Sequence, residues 1–337
     1  MKPKKTVCTF YNVIQGMDHV LRKKLKGYTV TIHKHPVSLD NLNSETEILG
    51  VFVDSQVTKH ILDALPHLKL IVTMSTGFDH IDLISAGKRG ILVCNVPSYG
   101  ENTIAQHTLT LILALGHHLF ESVKRVKEGG YGWEGLRGFD LKSKTIGLIG
   151  TGHIGMSLIR MLNGFDATII AYDKTPDKKL EKKHGFTYVT YPALLRRSDI
   201  VSLHVPLCAP THHMINMAEI KKMKKGVYII NTARGGLIDA EALVWGLENG
   251  RVAGAGLDVL EYEAYLKNPE KLFEKDTTKE IERITLMNNI LVDHPRTIIT
   301  PHNAFNNEGA LNRIMEATAK NVIAHSIGNP INLVRCV

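Results

Sequence analysis

The sequence predicts an α/β protein built from parallel sheets with helices on both faces. Three observations carry this. Short apolar runs and helix-like stretches alternate from residue 6 to about residue 96. The alternation resumes beyond residue 173. Between the two arrays lies TIGLIGTGHIGMSLIRMLNGFDATIIAYD, residues 145–173, in which an apolar run, three glycines, a helical pattern and a second apolar run follow one another. Such alternation marks a parallel sheet, because a parallel neighbour is reached only by crossing back over one face.

In the first array the strands are expected at residues 7–10, 29–33, 48–53, 70–73 and 91–95, with a helix at 60–65. The turn STGFD follows the fourth strand, and Gly77 in it permits close backbone approach to a ligand. Residues 97–100 read as a crossover into one long helix, 101–120, with an apolar face of Ile104, Leu109, Leu111, Ile112, Leu113 and Leu115. The glycine-rich stretch 128–138 reads as a loop, with Trp133 as a packing or subunit-contact residue. Past Asp173, strands are expected at 200–204, 227–231, 253–258 and 297–300, and helices at 240–249 and 308–325. The charged segment 261–294 shows no sheet pattern. No internal repeat is visible.

The central stretch has chemical content. Ile146, Leu148 and Ile149 suit one buried parallel strand. Gly150, Gly152 and Gly155 then stand as G-x-G-x-x-G. The first permits a tight turn, the second lets backbone approach a pyrophosphate, and the third lets helix pack on strand. Met156, Leu158, Ile159 and Leu162 follow at helical spacing, and a helix N-terminus offers free N–H groups and a positive dipole end. The second strand, 168–172, ends at Asp173, whose carboxylate can accept from ribose hydroxyls and would repel a 2′-phosphate. No Arg follows directly, although Lys174 does. Strand, glycines, helix, strand and acid together predict a nicotinamide dinucleotide site, for NAD in preference to NADP.

Composition narrows the class. A chain of 337 residues, 44% hydrophobic and 22% charged, suits a globular protein of two domains. No apolar run is long enough to span a bilayer. The start, MKPKKTVCTFYNVI, is basic and then apolar, but Tyr11 and Asn12 interrupt it and no small-residue cleavage site follows, so a first strand is expected and not a signal peptide. Cys8, Cys94, Cys208 and Cys336 are scattered without C-x-x-C spacing, which points to reduced thiols in a cytoplasmic protein and to no metal site. The net charge of +8 comes from lysines dispersed in solvated stretches such as 177–183 and 221–225. Without an aromatic-interleaved basic stripe this excludes a nucleic-acid binder and suits a field that attracts anionic substrate and cofactor.

Four expected strand ends carry polar groups: Thr76–Gly77, Arg234, Asp258 to Glu263, and His302. Hydride transfer to a 2-keto acid needs a cation or N–H groups for the carboxylate, an acid for the carbonyl oxygen and a base to orient the acid. Arg234 offers a planar fork. His302 offers an imidazole, whose ordinary pKa of roughly 6.5 suits proton exchange near neutrality. Glu263 offers the orienting carboxylate.

At these residues the chain resembles the D-isomer-specific 2-hydroxyacid dehydrogenases, most closely the D-lactate dehydrogenase branch. The matching stretches are STGFDHIDL, VPSYGENTIAQHTLTLILAL, KTIGLIGTGHIG, IIAYD, VSLHVPL, IINTARGGLID, AGAGLDVLEYE and IITPHNAF, which cover nearly the whole chain. The resemblance implies two doubly wound domains: a Rossmann NAD-binding domain, 98–298, inserted into a discontinuous flavodoxin-like substrate domain, 1–97 and 299–337. It implies catalytic roles for Arg234, Glu263 and His302. Thr76 and Gly77 would cradle the substrate carboxylate, and Tyr99 and Phe305 would line the pocket beside the substrate side chain. Cofactor contacts fall on His153, Ile154, Asp173, Val205, Pro206, Thr211, Thr232, Ala233, Arg234 and Asp258, besides the three glycines. The 101–120 helix lies where the family forms its dimer contact, so a homodimer is expected.

Phosphoglycerate-type relatives carry arginines in the segment matching 53–56, where this chain has Asp54 and Gln56. The resemblance therefore implies a small, unphosphorylated 2-keto or 2-hydroxy acid. Two departures from the family's pattern are Gln106, where relatives usually carry Glu, and a long connection from Glu263 to His302. A glyoxylate or hydroxypyruvate reductase is the alternative within the class. An NADH-sensing corepressor-like binding protein is the alternative outside it, disfavoured because Val337 follows soon after the last expected helix, with no long tail.

Overall fold

A computed structural model describes residues 5–274 and 277–334. The chain forms two compact units: one runs through Tyr99 and takes in the chain again from Asn306, and the other is Gly100–Phe305.

The first unit holds five strands: β1 (Val7–Tyr11), β2 (Thr29–Ile32), β3 (Ile48–Val51), β4 (Leu70–Thr73) and β5 (Leu92–Cys94). Their spatial order is β2-β1-β3-β4-β5, and all four pairings are parallel. β1, β3 and β4 are buried at every position, as strands covered on both faces must be. Gly50 makes room within β3: a Cβ there would come within 2.0 Å of the Phe10 ring. The order reverses between β1 and β3, and the ends of those strands carry Asn12 and Asp54, joined by a 3.2 Å hydrogen bond.

The last helix, Glu308–Ser326, belongs to this unit. Asn307 caps it, its side-chain oxygen accepting from the Gly309 N–H. Ala310, Leu311, Ile314, Met315, Thr318, Ala319 and Val322 are buried at helical spacing. Asn321 donates to the Asn95 carbonyl just after β5, at 2.8 Å. The chain thus returns to its first sheet by packing an amphipathic helix on it.

The second unit holds β6 (Thr145–Ile149), β7 (Thr168–Tyr172), β8 (Thr187–Tyr188), β9 (Ile200–Leu203), β10 (Val227–Asn231), β11 (Val252–Leu257) and β12 (Thr297–Ile299). They form a parallel sheet ordered β12-β11-β10-β9-β6-β7-β8. This is the doubly wound dinucleotide-binding order with one strand added at the edge, and its reversal point lies between β6 and β9. Two apolar clusters cover this sheet, one including Leu194, Leu243 and Leu291, the other Leu111, Leu158 and Leu162.

One expectation needs correction here. The long helix 101–120 is two helices, Glu101–Gly116 and Leu119–Lys127. His118 breaks the ladder with a left-handed φ of 48°, and the returning Phe139 N–H takes up the Gly116 carbonyl at 3.0 Å. The charged segment 261–294 holds no strand among its described residues, as expected, and is largely helical, with its main helix at Lys279–Asp293 and Thr278 as its cap.

Candidate active site

The dinucleotide turn sits at the reversal point. Gly150 closes β6 with φ +100°, and its N–H donates to the Tyr172 carbonyl at the end of β7. A Cβ on Gly150 would come within 2.6 Å of the His204 carbonyl, and one on Gly155 within 2.3 Å of the Gly150 carbonyl. Neither position admits a side chain. Gly152, by contrast, faces open space, with nothing within 4 Å of where its Cβ would be. The helix His153–Leu162 begins there, with His153 exposed and Ile154 half-buried in its first turn. Bare backbone, open space and a helix N-terminus are what a pyrophosphate requires.

Asp173 lies at the end of β7, beside this turn. Its Oδ2 accepts from the Thr151 N–H and hydroxyl, both at 2.8 Å, and its Oδ1 from the Thr175 N–H at 3.0 Å. Burial would raise its pKa, but these hydrogen bonds outweigh burial and hold the carboxyl below its ordinary value. The group is therefore charged at neutral pH. The Thr151 hydroxyl also meets Tyr188 Oη at 2.8 Å, so it can rotate and leave carboxylate lone pairs for ribose hydroxyls. On the other side of the turn, Val205 and Pro206 follow β9, and the Thr211 hydroxyl closes their loop by donating to the Pro206 carbonyl at 2.7 Å. These residues fit a dinucleotide carrying free ribose hydroxyls.

Three further strand ends carry the charged groups. After β10, Asn231 is buried and grips the turn at both ends: its Oδ1 accepts from the Ala233 N–H at 3.0 Å, and its Nδ2 donates to the Arg234 carbonyl at 2.8 Å. Thr232 is buried against Thr108, hydroxyl to hydroxyl at 2.8 Å. Arg234 is half-buried, and its Nη1 donates to the Ala233 carbonyl. Gly235 then packs against the backbone after β11, where a Cβ would lie 2.0 Å from the Leu260 carbonyl carbon and 2.1 Å from the Glu261 nitrogen. That contact seats the Arg234 turn directly on the segment that carries Glu263.

His302 follows β12. Its Nδ1 lies 2.6 Å from Glu263 Oε1. A carboxylate only accepts, so Nδ1 carries the hydrogen and Nε2 is left to exchange a proton. His302 takes a left-handed φ of 52°, and Asp258 holds it there. The Asp258 carbonyl accepts from the His302 N–H at 2.8 Å, and its carboxylate accepts from the Asn303 and Ala304 N–H groups at 3.0 and 2.9 Å and from the Thr300 hydroxyl. His107 Nε2 lies 3.4 Å from the same carboxylate. Burial would raise the Asp258 carboxyl, and His107 with these other donors lowers it below its ordinary value. The Asp258 side chain is 1% exposed, so its carboxylate is committed to the loop that carries His302.

The second unit thus gathers Arg234, Asp258, Glu263 and His302 on adjacent strand ends, with Phe305 half-buried just beyond. In the first unit, Thr76 and Gly77 follow β4 and Tyr99 lies beyond β5. The Thr76 hydroxyl donates to the Val96 carbonyl at 2.9 Å, Ser75 Oγ donates to the Gly77 carbonyl at 2.6 Å, and the Tyr99 carbonyl accepts from Arg313. Sequence reasoning passed over Asn231, Gly235, His107 and Thr300. Asn231, Gly235 and Thr300 are marked only by adjacency to the charged residues that they hold in place, and His107, which meets Asp258 only in the fold, carries no such mark.

A dinucleotide turn after β6 at the reversal point and a carboxylate–imidazole pair three and four strands away, after β11 and β12, define a nicotinamide-dependent oxidoreductase. The family described as "D-isomer specific 2-hydroxyacid dehydrogenase, NAD binding domain" matches residues 109–304. The chain is 36% identical to a glyoxylate reductase of Thermococcus litoralis, over 92% of this chain and 91% of that protein. It is 32% identical to a D-lactate dehydrogenase of Escherichia coli, over 82% of each. It superimposes with a TM-score of 0.87 on a D-lactate dehydrogenase from Aquifex aeolicus in complex with NAD and lactic acid, at 36% identity and covering 97% of this chain and 98% of that one. The chain belongs to the D-isomer-specific 2-hydroxyacid dehydrogenase family and is an NAD-dependent oxidoreductase.

Proposed function

We propose that this enzyme interconverts a small, unphosphorylated 2-keto acid of the pyruvate class and its D-2-hydroxy acid. The observation that carries the reading is the 2.6 Å contact between Glu263 and His302 Nδ1. NAD supplies or accepts the hydride. His302 gives its Nε2 proton to the carbonyl oxygen during reduction and takes it back during oxidation, while Glu263 keeps the ring turned. Arg234 holds the carboxylate and polarises the carbonyl, so charge growing on oxygen meets positive groups. Thr76 and Gly77 offer backbone N–H groups to the carboxylate, and Tyr99 and Phe305 border the substrate side chain. Gly150, Gly152, His153, Ile154 and Gly155 would hold the cofactor's pyrophosphate, Asp173 its ribose hydroxyls, and Val205, Pro206, Thr211, Thr232, Ala233 and Asp258 would complete its site.

The first unit favours a substrate without a phosphate. Asp54, bonded to Asn12, stands where a cation would be needed. Two nearby cations are engaged elsewhere: Lys59 with Asp63, and Arg89 with the Leu62 and Leu65 carbonyls. The Aquifex aeolicus relative binds lactic acid, which supports a substrate of that size. The Thermococcus litoralis relative supports glyoxylate reduction as a second reading. A homodimer is proposed through the 101–120 region and the helix after it. Helix Leu119–Lys127 buries no side chain, and Leu119, Phe120, Val123 and Val126 are exposed with Tyr131 and Trp133 beyond. A cytoplasmic location is proposed from the free thiols Cys8, Cys94 and Cys208. Among the described residues no helix is long and apolar enough to cross a membrane.

The test is NADH oxidation by the purified protein with pyruvate, phenylpyruvate, 2-ketoisocaproate, glyoxylate, hydroxypyruvate and 3-phosphohydroxypyruvate. Pyruvate-like acids should outperform the phosphorylated acid by a wide margin. A lower KM for 3-phosphohydroxypyruvate overturns the reading.

A further inference from the structure

His212, His213 and Glu261 form a cluster that the dehydrogenase chemistry does not use. His212 Nε2 lies 3.1 Å from Glu261 Oε1, and His213 Nε2 lies 2.7 Å from Glu261 Oε2. The two rings stack with centroids 3.8 Å apart, and the candidate ligand atoms all lie within 4.8 Å of one another. The geometry points to a binding site for a divalent transition-metal ion of the zinc class, held by two imidazoles and one carboxylate. Cysteine spacing gave no hint of it, because the ligands are nitrogen and oxygen and the two histidines lie 49 and 48 positions from Glu261.

Two imidazoles and a carboxylate are a recurrent three-ligand set for zinc, with a fourth position left for water. Bonds of roughly 2.0–2.2 Å place tetrahedral ligands about 3.3 Å apart, so a small opening of the hydrogen-bonded cluster seats an ion. Turning both rings to the Nδ1–H tautomer presents two lone pairs and a carboxylate to one point. Imidazole and carboxylate ligands favour this metal class over the harder calcium and magnesium.

Both ligand segments are held from behind. The His213 N–H donates to the Gly236 carbonyl at 2.8 Å, and the Ile215–Ile238 bridge continues that pairing. The Glu261 carbonyl accepts from Asn288 Nδ2 at 2.7 Å, and Gly235 packs on the Glu261 nitrogen. His213 itself and Tyr262, next to Glu261, take left-handed φ values of 48° and 54°. Such backbone persists in non-glycine residues only where the surroundings hold it. Glu261 is 11% exposed and His212 47%, so the carboxylate is fixed while one imidazole opens the site to solvent.

The experiment uses untagged, full-length protein stripped of metal and then of chelator. Zn²⁺ is titrated in competition with a chromophoric zinc indicator, and Co²⁺ is followed by its visible d–d absorption. One tight site per chain is expected. His212→Ala and Glu261→Gln should each weaken it at least about 10-fold, the minimum seen when even an outer partner is lost, and should abolish the cobalt band. His19→Ala, in the first unit, should leave both unchanged. His212 is half-exposed, so its variant keeps the fold, checked by circular dichroism, and decides the matter if Glu261→Gln does not fold. No stoichiometric binding, or wild-type affinity in folded His212→Ala, overturns the proposal.

Discussion

Glu263 meets His302 through Nδ1 at 2.6 Å, which turns Nε2 outward as the nitrogen that can exchange a proton. The contact is made across two strand ends. Glu263 follows β11 and His302 follows β12, and the buried carboxylate of Asp258 fixes the backbone between them. The imidazole is therefore held by both its ring and its main chain, the preorganisation that general acid catalysis requires.

Asp173 sets the choice of cofactor. Its carboxyl stays ionised well below neutrality and repels a 2′-phosphate. NADH should have a much higher kcat/KM than NADPH, and Asp173→Ala should narrow the gap by weakening NADH. Equal efficiency of the wild type with both cofactors contradicts this.

Asp258 anchors the loop of His302 as a charged group. Its folded pKa is depressed, so its stabilising effect is present above the unfolded carboxyl value of about 3.9. That effect is lost as pH falls from there through the folded value. Asp258→Asn should cost about 1–3 kcal/mol at neutral pH, flatten the acid limb of stability and lower kcat. Denaturant unfolding across pH measures it, and an unchanged acid limb would rule out the anchoring role.

Gly235 couples the Arg234 turn to the segment of Glu263. Gly235→Ala places a methyl 2.0 Å from the Leu260 carbonyl carbon, so one backbone must move. Overpacking of this kind costs roughly 1–3 kcal/mol, and a displacement of about 1 Å can cost on the order of 100-fold in rate. Wild-type stability and kcat/KM in this variant would show that the two segments are not coupled.

Much of the fold is legible locally. The strands after residue 145 fall within a residue or so of their expected places, apart from the two-residue β8, because buried parallel strands read as short apolar runs. The break at His117–His118 has one local mark, Gly116 at the end of the first helix, but the apolar pattern continues past it, and the returning Phe139 enforces the break. The docking of helix Glu308–Ser326 on the first sheet is likewise a long-range packing event that local pattern does not contain. In the site, charged strand ends point to Arg234, Glu263 and His302 through chemical need. Asn231 and Gly235 stay hidden because a buried amide and a close backbone approach leave no periodic or charge signal. The His212–His213–Glu261 cluster was missed because its members pair only when β9 and β11 lie in one sheet.

The central claim is that His302 Nε2 carries the transferred proton. The most direct measurement is kcat against pH, in both directions, for wild type, His302→Ala and Glu263→Gln. Reduction needs the protonated ring and oxidation the neutral one, so in the wild type reduction should fall and oxidation should rise as pH increases. His302→Ala should lose roughly 100- to 10,000-fold in kcat together with both of these opposed pH dependences. Glu263→Gln should lose less, because the acid remains and only its orientation is loosened. Opposed profiles that survive intact in His302→Ala would contradict the account.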